Sequence, residues 1–174
     1  MDGRAPGIYP DLEAQLPGGL GEEGASSVDS GRSCSDDRLS TLKSHGVADL
    51  RFAGATWAQE GSPSSTVIAI FRTPPGSPPL QADWMAEFYE TGARASTKTE
   101  NIEVKHPTYA EAGEVDQLDT LNDLSFQSIA VWQGGDIVHV VIVATELRPG
   151  GATKADHERY LELAVMTAAG GREG

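Results

Sequence analysis

Cysteine occurs once in the 174 residues, as Cys34, which excludes an intramolecular disulfide and leaves the redox compartment open. Basic residues are scarce too. Lys and Arg number 13 against 26 Asp and Glu, a formal net charge of -13, and such a field repels phosphate backbones and anionic lipid headgroups. Nucleic acid is therefore excluded as an expected partner. Cations and basic surfaces are favoured electrostatically, although an acidic balance commonly serves solubility alone. No stretch reaches the about eighteen apolar residues of a membrane span, and Met1-Asp2-Gly3-Arg4 lacks the basic start and apolar core of a signal peptide. Also missing are paired metal-ligand histidines, a phosphate-binding glycine loop and a GxSxG serine elbow. No cofactor, metal site or catalytic residue is assigned.

What the chain does contain is a pair of apolar, β-branched runs on either side of Gly134-Gly135. Residues 125–146 read as a twisted antiparallel hairpin. Together with the absence of a βαβ repeat, this sets the expected class as α+β, an antiparallel sheet built from hairpins with helices packed on it. A chain of 174 residues suits a single core burying roughly 70% of its unfolded surface. The expected organisation is a flexible N-terminus over 1–7, one domain over 8–170 and a flexible C-terminus over 171–174.

Within that domain, Asp11 caps a short helix ended by Pro17-Gly18-Gly19. Residues 18–33 are Gly, Ser and acids with little to bury and read as a mobile loop. Ser35-Asp36-Asp37 starts a helix with Leu39 and Leu42 as its stripe, stopped at Gly46. Val47 to Gln59 and Thr66 to Phe71 form a first hairpin. After Ser77-Pro78-Pro79, the residues Leu80, Trp84, Met85, Phe88, Tyr89 and Ala95 make the broad stripe of the main helix. Strict alternation over 101–105 predicts an edge strand, and Tyr109 to Glu111 a second short one. Residues 114–123 read as an acidic linker. Thr153 and Asp156 cap a last helix whose stripe is Tyr160, Leu161, Ala164 and Val165.

Alternation also divides the closing hairpin into two faces. One holds Ile129, Val131, Val138, Val140 and Ile142 and packs under the main helix. The other holds Phe126, Ala130, Trp132, Ile137, His139, Val141 and Val143, and the terminal helices are expected to cover it only in part. That excess of apolar surface makes it the candidate binding face, with Trp57, Phe126, Trp132 and His139 as its site residues. Complete cover would instead give a three-layer core with no role of its own. A cleft between sheet and helix, or self-association through the face, are the other uses of the same surface.

Two features bear on chemistry. His139, beside Trp132, would serve a hydrolytic cleft if a carboxylate reached its ring, but no sequence rule brings Asp136 or Ser128 there. Glu111, Glu114, Asp116, Asp119 and Asp123 offer oxygen ligands for calcium without the spacing of an EF-hand, which favours a solvated acidic loop. Cys34 precedes a helix start, where Asp36 and Asp37 oppose any lowering of its pKa.

The opening Asp11-Leu12-Glu13-Ala14-Gln15-Leu16-Pro17, followed by a Gly-rich loop, a hairpin, a helix and a late double hairpin, resembles extracytoplasmic lipoprotein-like domains of high-GC bacteria. The resemblance implies an envelope setting and carries no catalytic residue across. It fits a Met placed before the remainder of a trimmed export precursor; without an export signal the chain would be cytoplasmic. The expected function is a non-catalytic module that binds a small apolar ligand or a protein partner, with a hydrolase around His139 as the alternative.

Overall fold

The computed structural model describes residues 2–122 and 124–170. In chain order, β1 (Gly3–Ala5), α1 (Pro10–Glu13), β2 (Gly19–Leu20), β3 (Glu23–Gly24) and β4 (Ser27–Ser33) lead into the helical turns α2 (Asp36–Leu39) and α3 (Thr41–Ser44). The hairpin β5 (Leu50–Ala58) and β6 (Ser64–Arg72) is followed by α4 (Ala82–Ala95), then by β7 (Glu100–Lys105), β8 (Thr108–Tyr109), β9 (Gly113–Glu114) and β10 (Asp116–Leu121). The hairpin β11 (Ser125–Gly134) and β12 (Ile137–Glu146) precedes the last helix, α5 (Lys154–Gly170). Eight strands form one sheet in the order β1-β4-β5-β6-β12-β11-β10-β7, every neighbour antiparallel. The α+β class is as expected: helices packed on a sheet of hairpins. No helix among the described residues is long and apolar enough to cross a membrane.

The closing hairpin forms where its β-branched runs demand it, and the register across Gly134-Gly135 sets Trp132 opposite His139 and Val131 opposite Val140. The two faces divide as alternation requires. Ile129, Val131, Val138 and Val140 join Leu80 and Met85 of the α4 side, with Leu39 and Leu42 from α2 and α3. Ala130, Trp132, Val141 and Val143 join Leu12 and Leu16 from the α1 region and Leu161, Ala164, Val165 and Ala168 from α5. The result is three layers, helix on sheet on helix, with two separate dry cores.

Three stretches depart from expectation, for one shared reason: backbone pairing does not need apolar side chains. Residues 27–33, placed in a mobile loop, are strand β4 in register with β5. Gly31 is essential there, since a Cβ would fall 2.2 Å from the Gly3 carbonyl oxygen and 2.7 Å from the Phe52 ring. Residues 3–5, placed in a flexible N-terminus, pair with β4 through that close approach. Residues 116–121, placed in an acidic linker, are strand β10 between β7 and β11. Its Leu118 is buried on the α4 side while Gln117 and Asp119 face the other way, so a two-sided strand reads as a polar run. The helix expected over 35–46 is split at Ser40, whose φ of 46° lies in the left-handed region. The expected C-terminal tail, 171–174, lies outside the described residues.

Candidate functional site

The four residues proposed for the apolar face do not form one surface. Trp57 and Trp132 are each only 4% exposed, sealed under the helical layer, with the Trp57 indole N–H donating to the Glu23 carbonyl. His139 stacks on Trp132, ring centroids 5.1 Å apart and planes nearly parallel. A Cβ on Gly134 would sit 2.5 Å from its Nε2, so the glycine is what lets the imidazole lie flat beside the turn. Burial pushes the His139 pKa down, and among the described residues no carboxylate or hydroxyl hydrogen-bonds the ring. Phe126 lies at the far end of β11, 5.8 Å from the imidazole of His157.

That far end is open. The sheet continues through β11, β10 and β7 past the flank of α5, and the step leaves a cleft of about 440 Å³. Phe126, Tyr109 and Leu161 supply its apolar walls, Asp119, Ser128 and His157 its polar floor, and Lys105, Glu103, Lys154, Glu158 and Glu162 its charged surround. Each floor residue gets there by simple geometry. Ser128 and Asp119 are directly paired across β11 and β10 and share a face. His157 sits four residues before Leu161 on the buried side of α5, which brings its ring down onto the strands.

A continuous hydrogen-bond chain runs along this floor. Ser128 Oγ lies 2.6 Å from Asp119 Oδ1 and 2.8 Å from His157 Nε2, and His157 Nδ1 lies 2.7 Å from Thr145 Oγ1. Asp119 also takes Lys105 Nζ at 3.0 Å and the Gln117 amide, whose oxygen in turn accepts from the Tyr109 hydroxyl. Burial opposes ionisation of Asp119, but the hydrogen bonds from Ser128, Lys105 and Gln117 outweigh it and hold its pKa below the ordinary carboxylate value. Burial lowers the His157 pKa, the nearby Asp119 charge opposing it in part.

The proton positions follow. An ionised Asp119 can only accept, so the single Ser128 proton points to it. His157 Nε2 must then be the N–H that donates to Ser128, and Nδ1 must accept from Thr145. In a Ser-His-Asp triad the serine donates to the imidazole and the carboxylate orients the opposite nitrogen. Here the carboxylate holds the serine and a threonine holds the histidine, a wiring that positions side chains and does not activate a nucleophile. Ser128 and His157 are 3% and 4% exposed, in keeping with a supporting role beneath the cleft.

The acidic residues of 114–123 do not converge. Asp116 faces the α4 side beside His106, 2.9 Å away, while Asp119 faces the cleft; Asp123 lies outside the described residues. Cys34 is half-buried, its backbone N–H donating to Asp2. The residues that build the cleft floor carry no motif because they come from two strands and a helix that are distant in sequence. One signal was present: His157 extends the Leu161, Ala164, Val165 stripe by one turn. Comparison of the chain with family models, curated proteins and solved structures finds no match.

Proposed function

We propose that the chain is a non-catalytic binding module that takes a small, largely apolar molecule in the cleft between α5 and the β11-β10-β7 end of the sheet. The observation that carries this reading is the step where the sheet outspans the helix, which leaves Phe126 and Tyr109 half-exposed above a polar floor. A volume of about 440 Å³ falls within the range of ligand sites, which combine apolar walls with a few fixed polar groups. Four carboxylates, Glu103, Asp119, Glu158 and Glu162, stand against the two lysines Lys105 and Lys154 around it. That balance favours a neutral or cationic ligand over an anion. Of the residues first assigned to binding, Phe126 keeps that role; Trp57, Trp132 and His139 support the layer beside it.

The test uses N-phenyl-1-naphthylamine, a neutral apolar dye. Saturable fluorescence enhancement at one dye per chain, weakened about tenfold by Phe126→Ala, is the expected result, since an aromatic wall contributes on the order of 1–2 kcal/mol of contact. Absence of saturable enhancement, or equal affinity in the variant, rejects the cleft as a binding site.

A further inference from the structure

On the α1 side of the same face, far from the cleft, the register produces a row of three arginines. Arg32 of β4 is directly opposite Arg51 of β5, and Arg51 is directly opposite Arg72 of β6. Directly opposed residues share a face with Cβ atoms about 5 Å apart, and like charges so placed repel. In a chain with only 13 basic residues, three in one row is a marked local departure from the overall acidity. Counter-charges are present but incomplete. Asp49 holds Arg32 through Nε at 2.8 Å, and Asp11 of α1 pairs with the Arg72 guanidinium. Arg51, the middle member, has no carboxylate within salt-bridge distance among the described residues. Its guanidinium lies over the Tyr9 ring, 5.3 Å from the centroid, a contact that supplies no acceptor. The buried Nε–H groups of both Arg51 and Arg72 lack a hydrogen-bond partner. The two aspartates pair with the flanking guanidiniums, the nearby Glu13 carboxylate is held by Ser30 and the Gly7 N–H, and Arg51 is left without an ion pair.

We propose that this row is an anion site, centred on Arg51 and flanked by Arg32 and Arg72, for a phosphate-type oxyanion. The planar guanidinium fork matches tetrahedral and planar oxyanions and loses little freedom on binding them. A dianion seated at Arg51 would answer the uncompensated charge, and Tyr9 would form one wall. The net charge of -13 does not forbid this, because exposed charges beyond about 8–10 Å are largely screened at physiological salt. The site is independent of the cleft, whose surround is mainly acidic.

Inorganic phosphate is the probe, titrated at constant ionic strength with chloride as the balancing anion and followed by the side-chain Nε–H NMR signals of the arginines. Saturable shifts at Arg51, with smaller ones at Arg32 and Arg72, are expected, together with a rise in Tm of about 3–5 °C at ten times the Kd. Arg51→Gln should abolish both responses. Arg51→Lys, which keeps the charge and loses the fork, should weaken binding about tenfold, and it decides the question should the glutamine variant not fold. Shifts that follow ionic strength alone, or equal phosphate affinity in the lysine or glutamine variant, overturn the site.

Discussion

The closing ribbon of β11 and β12 is two different environments on one face. Toward its turn, Ala130, Trp132 and Val141 lie dry beneath α5. Toward its open end, Phe126 and Ser128 look into a cleft with Asp119, Lys105 and the glutamates of α5 around it. The strand pairing and the alternation are the same in both halves. What differs is the path of α5, which crosses over β12 and β6 and leaves β10 and β7 without a helical roof. A continuous apolar ribbon therefore does not by itself create a binding surface; the boundary of the covering helix decides where core ends and cleft begins.

The sharpest way to break this comparison is to truncate one aromatic from each half. Trp132→Ala should cost about 3–5 kcal/mol of stability, the usual price of emptying a buried aromatic site, read as a large drop in denaturant midpoint. It removes the ring on which His139 stacks but touches no wall of the cleft. Dye binding by the fraction that remains folded should then be unchanged, whereas Phe126→Ala should weaken binding about tenfold with the smaller stability loss. A Trp132 variant of near-native stability, or one that loses dye binding while folded, would mean that the two halves are not distinct.

The polar floor gives the next effect in size. Ser128→Ala leaves the His157 Nε2–H without an acceptor and takes one donor from Asp119. Orphaning a buried donor costs about 1–3 kcal/mol, and for a domain of this size each kcal/mol lowers Tm by about 2–4 °C. Ser128→Thr keeps the hydroxyl and should recover most of the loss if the added methyl fits beside Phe126. A Ser128→Ala protein as stable as the parent would show that the hydrogen-bond chain does not hold the floor together.

The dry half was largely legible in the sequence and the wet half was not. Val131, Trp132, Val138 and Val140 announce their faces because alternation over many apolar residues has one consistent solution. The main helix was likewise legible from Trp84, Met85 and Phe88. By contrast, β10 presents Gln117 and Asp119 to a cleft, so its pattern carries no apolar period on that side, and β4 is held by ladder hydrogen bonds and the tight approach at Gly31. Neither is encoded in hydrophobicity. The arginine row is a third kind of case: positions 32, 51 and 72 become neighbours only once three strands are in register.

The two halves each contain one histidine, His139 half-buried and His157 buried, and pH separates their contributions. Burial lowers the pKa of both His139 and His157 below the ordinary 6.5, so the unfolded chain takes up protons at these sites before the folded chain does. The sign follows from linkage: their contribution to stability is complete above about 6.5 and declines as pH falls below it. Asp119, also lowered, adds its own loss only in the acid range below its ordinary 3.8. His157→Gln can still donate to Ser128 and accept from Thr145 but cannot titrate, so its stability should decline less between pH 7 and pH 5 than the parent's. His139→Gln should flatten the same interval from the dry side, and the double variant more than either alone. Stability measured by urea unfolding at each pH reads the slopes directly. If His157→Gln instead makes the decline between pH 7 and pH 5 steeper while His139→Gln flattens it, the floor histidine is protonated in the folded state at neutral pH, and the assignment of Nε2 as the sole donor to Ser128 with Nδ1 as acceptor is wrong.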